Sequence, residues 1–256
     1  MDLNHAAILF GVGLIAGFIN VIAGGGSMLT VPAMLMMGLP GPLANGTNRV
    51  AIFVQNAVAV GAFFRKGLAD FKLSLKLLLC AIPGTICGAL VGTELAGTMF
   101  NRTLAIIMCA ALVLMWVKRK KLPQAAETDG APLISLRRKI SGYLLMVGIG
   151  FYGGFIQIGV SLILMPVLNR VFYMDLVRVN MHKVFIICGY TVVALAIFAW
   201  RLDIRWDLGA ALAAGTGIGG FVGAAVSIRG GERLIRWLFQ LVLIAIVIKL
   251  FFFSTT

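Results

Sequence analysis

Apolar runs of membrane-spanning character recur from Ala6 to Phe253, separated by short polar punctuation. A bilayer span needs about 20 residues, or about 17 at the short end, so the pattern predicts roughly eight to ten helical segments. Helices are expected near 6–23, 27–38, 49–65, 73–96 and 101–117 in the first half. In the second half they are expected near 140–158, 161–173, 183–200, 208–228 and 232–252. The second helix of each half has only about 12 residues, ~18 Å at 1.5 Å per residue, against ~30 Å of hydrocarbon. Helices one and two of each half therefore read as a hairpin, or an interrupted element, that turns within the membrane.

The two halves repeat each other. Gly17–Pro32, GFINVIAGGGSMLTVP, lines up with Gly154–Pro166, GFIQIGVSLILMP, with three residues missing from the second copy. Asn45–Arg49 (NGTNR) then falls on Val179–Lys183 (VNMHK), Pro83–Gly92 on Ala214–Gly223, and Asn101-Arg102 on Glu232-Arg233. Four landmarks in one order point to duplication. Between the halves lies the sustained polar stretch LPQAAETDGAPLIS, bracketed by Lys118–Lys121 and Arg137–Lys139. The expected division is a first transmembrane repeat over 1–117, a cytoplasmic basic linker over 118–139, and a second repeat over 140–256.

Composition narrows the class. The 256 residues are 61% hydrophobic and 12% charged, against about 45–50% and about 25% for soluble domains, which excludes a soluble core. The net charge of +13 sits in the loops between apolar runs, as the positive-inside rule expects, and does not point to nucleic acid. The start, MDLNHAA, lacks the basic region of a signal peptide. Cys80, Cys87, Cys109 and Cys188 fall in apolar runs without metal or redox spacing.

With the linker inside, the Gly67 loop, the 170–183 segment and the 229–236 loop are inside, and the 97–102 and 201–207 loops are outside. That assignment makes the repeats antiparallel and places both termini outside. Inverted repeats with interrupted helices are a transporter signature, with sites near the midplane where the repeats meet.

The candidate chemistry sits at the interruptions. Gly24-Gly25-Gly26-Ser27 follows a helix carrying Asn20, and Gln157, Gly159 and Ser161 mark the shorter second break. Glycine runs break helices and free N–H groups at the next helix start, where the dipole favours an anion; a plain hairpin turn is the alternative. Asn45, Asn48 and Arg49, matched by Asn180, His182 and Lys183, put a cation at the expected start of each third helix. Such a cation attracts an anion or snorkels to headgroups. His182 is a candidate proton-coupling or structural group, and Gln55 and Asn56 are polar positions inside the third helix. The Gly84-x3-Gly88-x3-Gly92 and Gly215-x3-Gly219-x3-Gly223 stripes read as helix-packing surfaces. Carboxylates are assigned to loops and helix ends, which favours an anionic or neutral substrate over a cation.

The opening GFINVIAGGGSMLTVPAMLMMGLPGPLANGTNRVAI resembles the sulfite exporter TauE/SafE family, also called the 4-toluenesulfonate uptake permease family. Its pattern falls on Gly17, Gly24–Ser27, Pro32 and Gly46–Arg49, and the likeness covers nearly the whole chain. The resemblance implies transport of sulfur-containing anions, such as sulfite, sulfoacetate or other sulfonates, across the bacterial cytoplasmic (inner) membrane.

The sequence is thus read as an all-α polytopic membrane protein of two inverted repeats. Its expected substrate site joins Asn20, Gly24, Gly25, Gly26, Ser27, Asn48 and Arg49 to Gln157, Gly159, Ser161, His182 and Lys183. The expected partners are a small sulfur-containing anion and the lipid bilayer, with no cofactor or metal and with homo-oligomerisation left open. An anion channel, a transporter of another small anion and an accessory membrane subunit are the competing readings. The chain offers no nucleophile–base pair or metal cluster of the kind an enzyme needs.

Overall fold

The computed structural model describes residues 3–23, 25–65, 71–95, 97–116, 135–174 and 176–227. Among them are α1 (Leu3–Ala23), α2 (Ser27–Met36), α3 (Gly41–Arg65), α4 (Phe71–Glu94), α5 (Gly97–Trp116), α6 (Leu136–Phe155), α7 (Val160–Phe172), α8 (Leu176–Arg201) and α9 (Trp206–Ser227). No strand occurs among the described residues. The helix expected at 232–252 and most of the linker lie outside the described residues. Phe71–Glu94 and Val177–Arg201 are long and apolar enough to cross a bilayer.

Contact registers fix the helix directions. Gly13 of α1 faces Leu212 and Thr216 of α9, and Gly17 faces Thr216 and Gly220, so α1 and α9 run in parallel. Gly84 of α4 faces Val147 and Phe151 of α6, Gly88 faces Phe151 and Gly92 faces Phe155, so that pair is parallel too. Thr47 accepts from the Arg205 N–H at 3.3 Å and Gly209 lies against Val50, which aligns α3 with α9. Ser74 meets His182 and Gly189 lies against Leu78, which aligns α4 with α8. Gly46 lies against Phe198, while Ile52 shares a cluster with Ile187 and Tyr190, so α3 and α8 run in opposite directions. Hence α1, α3 and α9 begin at one end of the molecule, and α4, α6 and α8 begin at the other. Among the described residues α1, α3 and α4 thus point opposite to their repeat counterparts α6, α8 and α9, which is the inverted arrangement expected from the sequence.

The halves interlock rather than stand side by side. The most extensive interfaces pair α1 with α9 and α4 with α6. In each, glycines press on backbone carbonyls: Gly84 and Gly88 on Val147 and Phe151, and Gly215 and Gly219 on Phe10 and Leu14. The sequence alignment superposes Gly84 on Gly215 and Gly88 on Gly219, so the two interfaces are one contact made twice. Small residues let helix backbones approach where lipid gives no hydrophobic drive for association. A side chain at Gly84 or Gly88 would collide with main chain.

Each short helix returns to the end from which its predecessor came. Asn20, late in α1, bonds Gln55 at the middle of α3, while α2 leads within four residues back to the start of α3. At the opposite end Arg138, near the start of α6, donates to the Tyr173 hydroxyl and the Arg170 carbonyl at the end of α7. Both hairpins therefore double back on themselves, with their tips in the protein interior.

Two helix starts differ most from the expected ones. α3 begins at Gly41, not 49, and α8 at Leu176, not 183. The polar run Asn45–Asn48 reads locally as a breaker, but tertiary partners hold each polar side chain within the helix by one bond: Asn45 donates to Phe155 O, Thr47 accepts from Arg205, and Asn48 accepts from Thr30. Arg49 and Lys183 thus lie about two turns inside their helices, and the expectation that each cation begins a third helix is corrected. Likewise 97–102 belongs to α5, and Leu136–Lys139 opens α6.

Candidate functional site

The site grows from the second break. α6 stops at Phe155 and α7 starts at Val160, with Gln157 and Gly159 in left-handed backbone at φ 65° and 70°. A helix end leaves its last carbonyls without intrahelical partners. Here α3 supplies them. Arg49 Nη1 donates to Gly153 O at 3.0 Å, Arg49 Nη2 donates to Gly154 O, and Asn45 Nδ2 donates to Phe155 O at 2.8 Å. Asn45 and Arg49 are one turn apart on α3 and cap α6 from the side, with the guanidinium at the negative end of the helix dipole.

Gln157 completes the arrangement. Its Oε1 accepts from Arg49 Nη1 at 2.8 Å and its Nε2 donates to Thr191 Oγ1 of α8 at 2.9 Å. Phe198 lies under the guanidinium, 4.4 Å from its ring centroid. Arg49 is fully buried, at 0% exposure, which excludes snorkelling. The described carboxylates, Glu94, Asp203 and Asp207, lie at the ends of α4 and α8 and the start of α9, and Glu94 and Asp207 pair with Arg201 and Arg205. Among the described residues, the Arg49 charge is met by neutral acceptors and an aromatic face only.

Two donors there are unspent. Arg49 Nε has no partner, and the adjacent Asn48, whose Oδ1 accepts from Thr30 Oγ1 at 2.6 Å, leaves its Nδ2 without one. Asn45 Oδ1 and the Tyr190 hydroxyl are also buried and unpaired. Such groups cost about 1–3 kcal/mol each when left unsatisfied.

The first break lies against the second. Asn20 donates to Gln55 Oε1 at 3.1 Å and accepts from the Gly26 N–H at 3.3 Å, which ties the tip back to α1. Gly25 and Gly26 are buried, Ser27 opens α2 half-buried, and Gly24 lies outside the described residues. Met28, next in α2, packs on Gly159, and Ile19, Ile156 and Ile158 share its cluster, so the tips meet. Ser161, the second residue of α7, is buried beside this contact.

His182 and Lys183 form a second cluster, toward the start of α4. His182 Nδ1 lies 2.7 Å from Ser74 Oγ, and Lys183 Nζ donates to Asn180 Oδ1 at 2.8 Å.

Residues 9–250 match the sequence pattern of the sulfite exporter TauE/SafE family. The chain belongs to that family. Its TauE/SafE relatives are named as probable membrane transporters. One from a Sinorhizobium species, ORF9, is 28% identical over 95% of this chain and 91% of its own length. Another from Haemophilus influenzae is 27% identical over 92% and 90%, and YfcA of Escherichia coli K12 is 25% identical over 96% and 90%. No solved structure matches. This TauE/SafE chain is therefore an all-helical membrane transporter protein, and none of these names specifies what is carried.

Of the expected residues, the fold brings Arg49 onto Gln157, sets Asn48 against Thr30 and Gly159 against Met28 of α2, ties Asn20 to Gly26, places Gly25, Ser27 and Ser161 at or beside the breaks, and holds His182 and Lys183 in a separate cluster. Thr30, Ser74, Tyr190 and Thr191 were not expected. Tyr190-Thr191 stood as a polar pair inside an apolar run, where polar groups are costly and seldom idle.

Proposed function

We propose that the chain is a secondary transporter, not an enzyme, that carries small sulfur-containing anions, sulfite or related sulfonates such as sulfoacetate, across the cytoplasmic membrane. The observation that carries this reading is Arg49: a buried guanidinium without a carboxylate among the described residues, with Nε and the neighbouring Asn48 Nδ2 both unspent. A buried cation of this kind is strongly favoured by an anion in reach. An oxyanion between the tips would receive these two donors and, from Ser27 and Ser161, short hydroxyl side chains. The sulfur chemistry rests on the family description, and the anionic class rests on the geometry.

The hairpins support alternating access, because each tip reaches the same interior region from an opposite end. The end where α4, α6 and α8 begin carries Arg65, Lys72, Lys76, Arg137, Arg138, Lys139, Arg170 and Arg178, without a carboxylate among the described residues. The other end mixes Arg102, Arg201 and Arg205 with Glu94, Asp203 and Asp207. By the positive-inside rule the first is cytoplasmic. Lys183 and His182 would serve the approach from that side.

The test is uptake of radiolabelled sulfite into proteoliposomes, competed by sulfoacetate, thiosulfate and sulfate. Wild type is expected to show saturable flux and counterflow. Asn48→Ala, which removes one unspent donor and leaves the α6 cap intact, is expected to raise the half-saturating concentration about ten- to a hundredfold. Non-saturable flux would make the protein a channel. No flux of any sulfur anion through a folded wild type would end the substrate assignment.

A further inference from the structure

One face of the α6–α7 hairpin is left uncovered among the described residues. Ser141, Leu144, Leu145, Gly148 and Tyr152 share a stripe of α6, and with Ile163 of α7 they line an almost wholly apolar groove of about 610 Å³. From Ser141 to Tyr152 the groove runs about 16 Å along the helix. Gly148 opens its floor: a Cβ there would meet nothing within 4 Å among the described residues, and its backbone does not require glycine.

The mouth of this groove is basic. Arg137 lies one turn above Ser141 on the same stripe. Arg138 is pinned across to α7 by the Tyr173 hydroxyl and the Arg170 carbonyl, and stacks 4.0 Å from the Tyr173 ring centroid. Arg170 lies two turns from Ile163 on the same face of α7, and both Arg137 and Arg170 are exposed. Three arginines therefore stand at one end of an apolar channel about as long as much of one acyl chain. The repeat counterpart differs: α1 and α2 contain no arginine or lysine.

We propose that this groove binds one anionic phospholipid, with an acyl chain lying along α6 over Gly148 and the phosphate held among Arg137, Arg138 and Arg170. Basic pockets between helices at the cytoplasmic surface suit anionic headgroups, and planar guanidiniums suit phosphate oxygens. The lipid would clamp the base of the hairpin whose tip carries Gln157, so occupancy would stabilise the folded transporter independently of what it carries.

The experiment melts delipidated protein in detergent with added phosphatidylglycerol or phosphatidylcholine of identical acyl chains. In wild type, phosphatidylglycerol is expected to raise the melting temperature several degrees more than phosphatidylcholine, and native mass spectrometry is expected to retain one phosphatidylglycerol per chain. Arg137→Ala with Arg170→Ala should abolish that difference, since both side chains are exposed and the Arg170 carbonyl that holds Arg138 remains. Gly148→Phe fills the groove from an open position and should abolish it with the arginines intact. Equal shifts for the two lipids in wild type, or a phosphatidylglycerol advantage that survives both variants, would overturn the site.

Discussion

Gln157 keeps a full side chain in left-handed backbone, a conformation that costs a non-glycine residue about 1–2 kcal/mol. Its two buried side-chain bonds, to Arg49 and Thr191, offset that cost and lock the break between α6 and α7. Two substitutions separate the contributions. Gln157→Gly removes the bonds but also the backbone cost, whereas Gln157→Ala removes only the bonds. Gln157→Ala should therefore unfold more readily by about 1 kcal/mol, measured by thermal melting in detergent. The same logic bears on Arg49→Lys. An ammonium keeps the charge but cannot span Gly153 O, Gly154 O and Gln157 at once, so Arg49→Lys should retain less than about a tenth of wild-type sulfite flux. Equal flux would mean that charge alone suffices and that the fork is a structural cap.

At the scale of helices, the parallel pairs α1–α9 and α4–α6 rest on backbone approaching backbone. Gly88→Leu would push a side chain into the Phe151 carbonyl and should cost at least about 3 kcal/mol. The control Gly148→Ala, with nothing in the way, should fall within about 0.5 kcal/mol of wild type; fluorescence-detected size exclusion after heating distinguishes them. These stripes, the short second helices and the repeat were all legible in the sequence, because each is written in spacing. What was not legible were the starts of α3 and α8. Asn45, Gly46, Thr47 and Asn48 have poor helix propensity, and only the ends of α6 and α2 and the loop before α9, far away in sequence, supply the partners that make them helical. For the same reason Arg49 read as a free cation at a helix start, when its nearest duty is to cap a helix of the other half.

Across the whole molecule, the segregation of charge predicts an orientation that can be measured. A cysteine at Asp203 should react with a membrane-impermeant maleimide on intact spheroplasts, and one at Lys139 only in inside-out vesicles, each in a background lacking Cys80, Cys87, Cys109 and Cys188. The reverse pattern would invert the assignment of sides while leaving the internal architecture untouched. The interlock also sets a schedule for biosynthesis. α1 leaves the ribosome first, yet the surface it packs on, α9, begins only at Trp206, which at about 5–20 residues per second arrives on the order of ten seconds or more later. Through that interval the glycine face of α1 lacks the α9 surface that covers it in the finished fold. Neither half covers its own glycine face, because α1 is covered by α9 and α4 by α6, each from the other half.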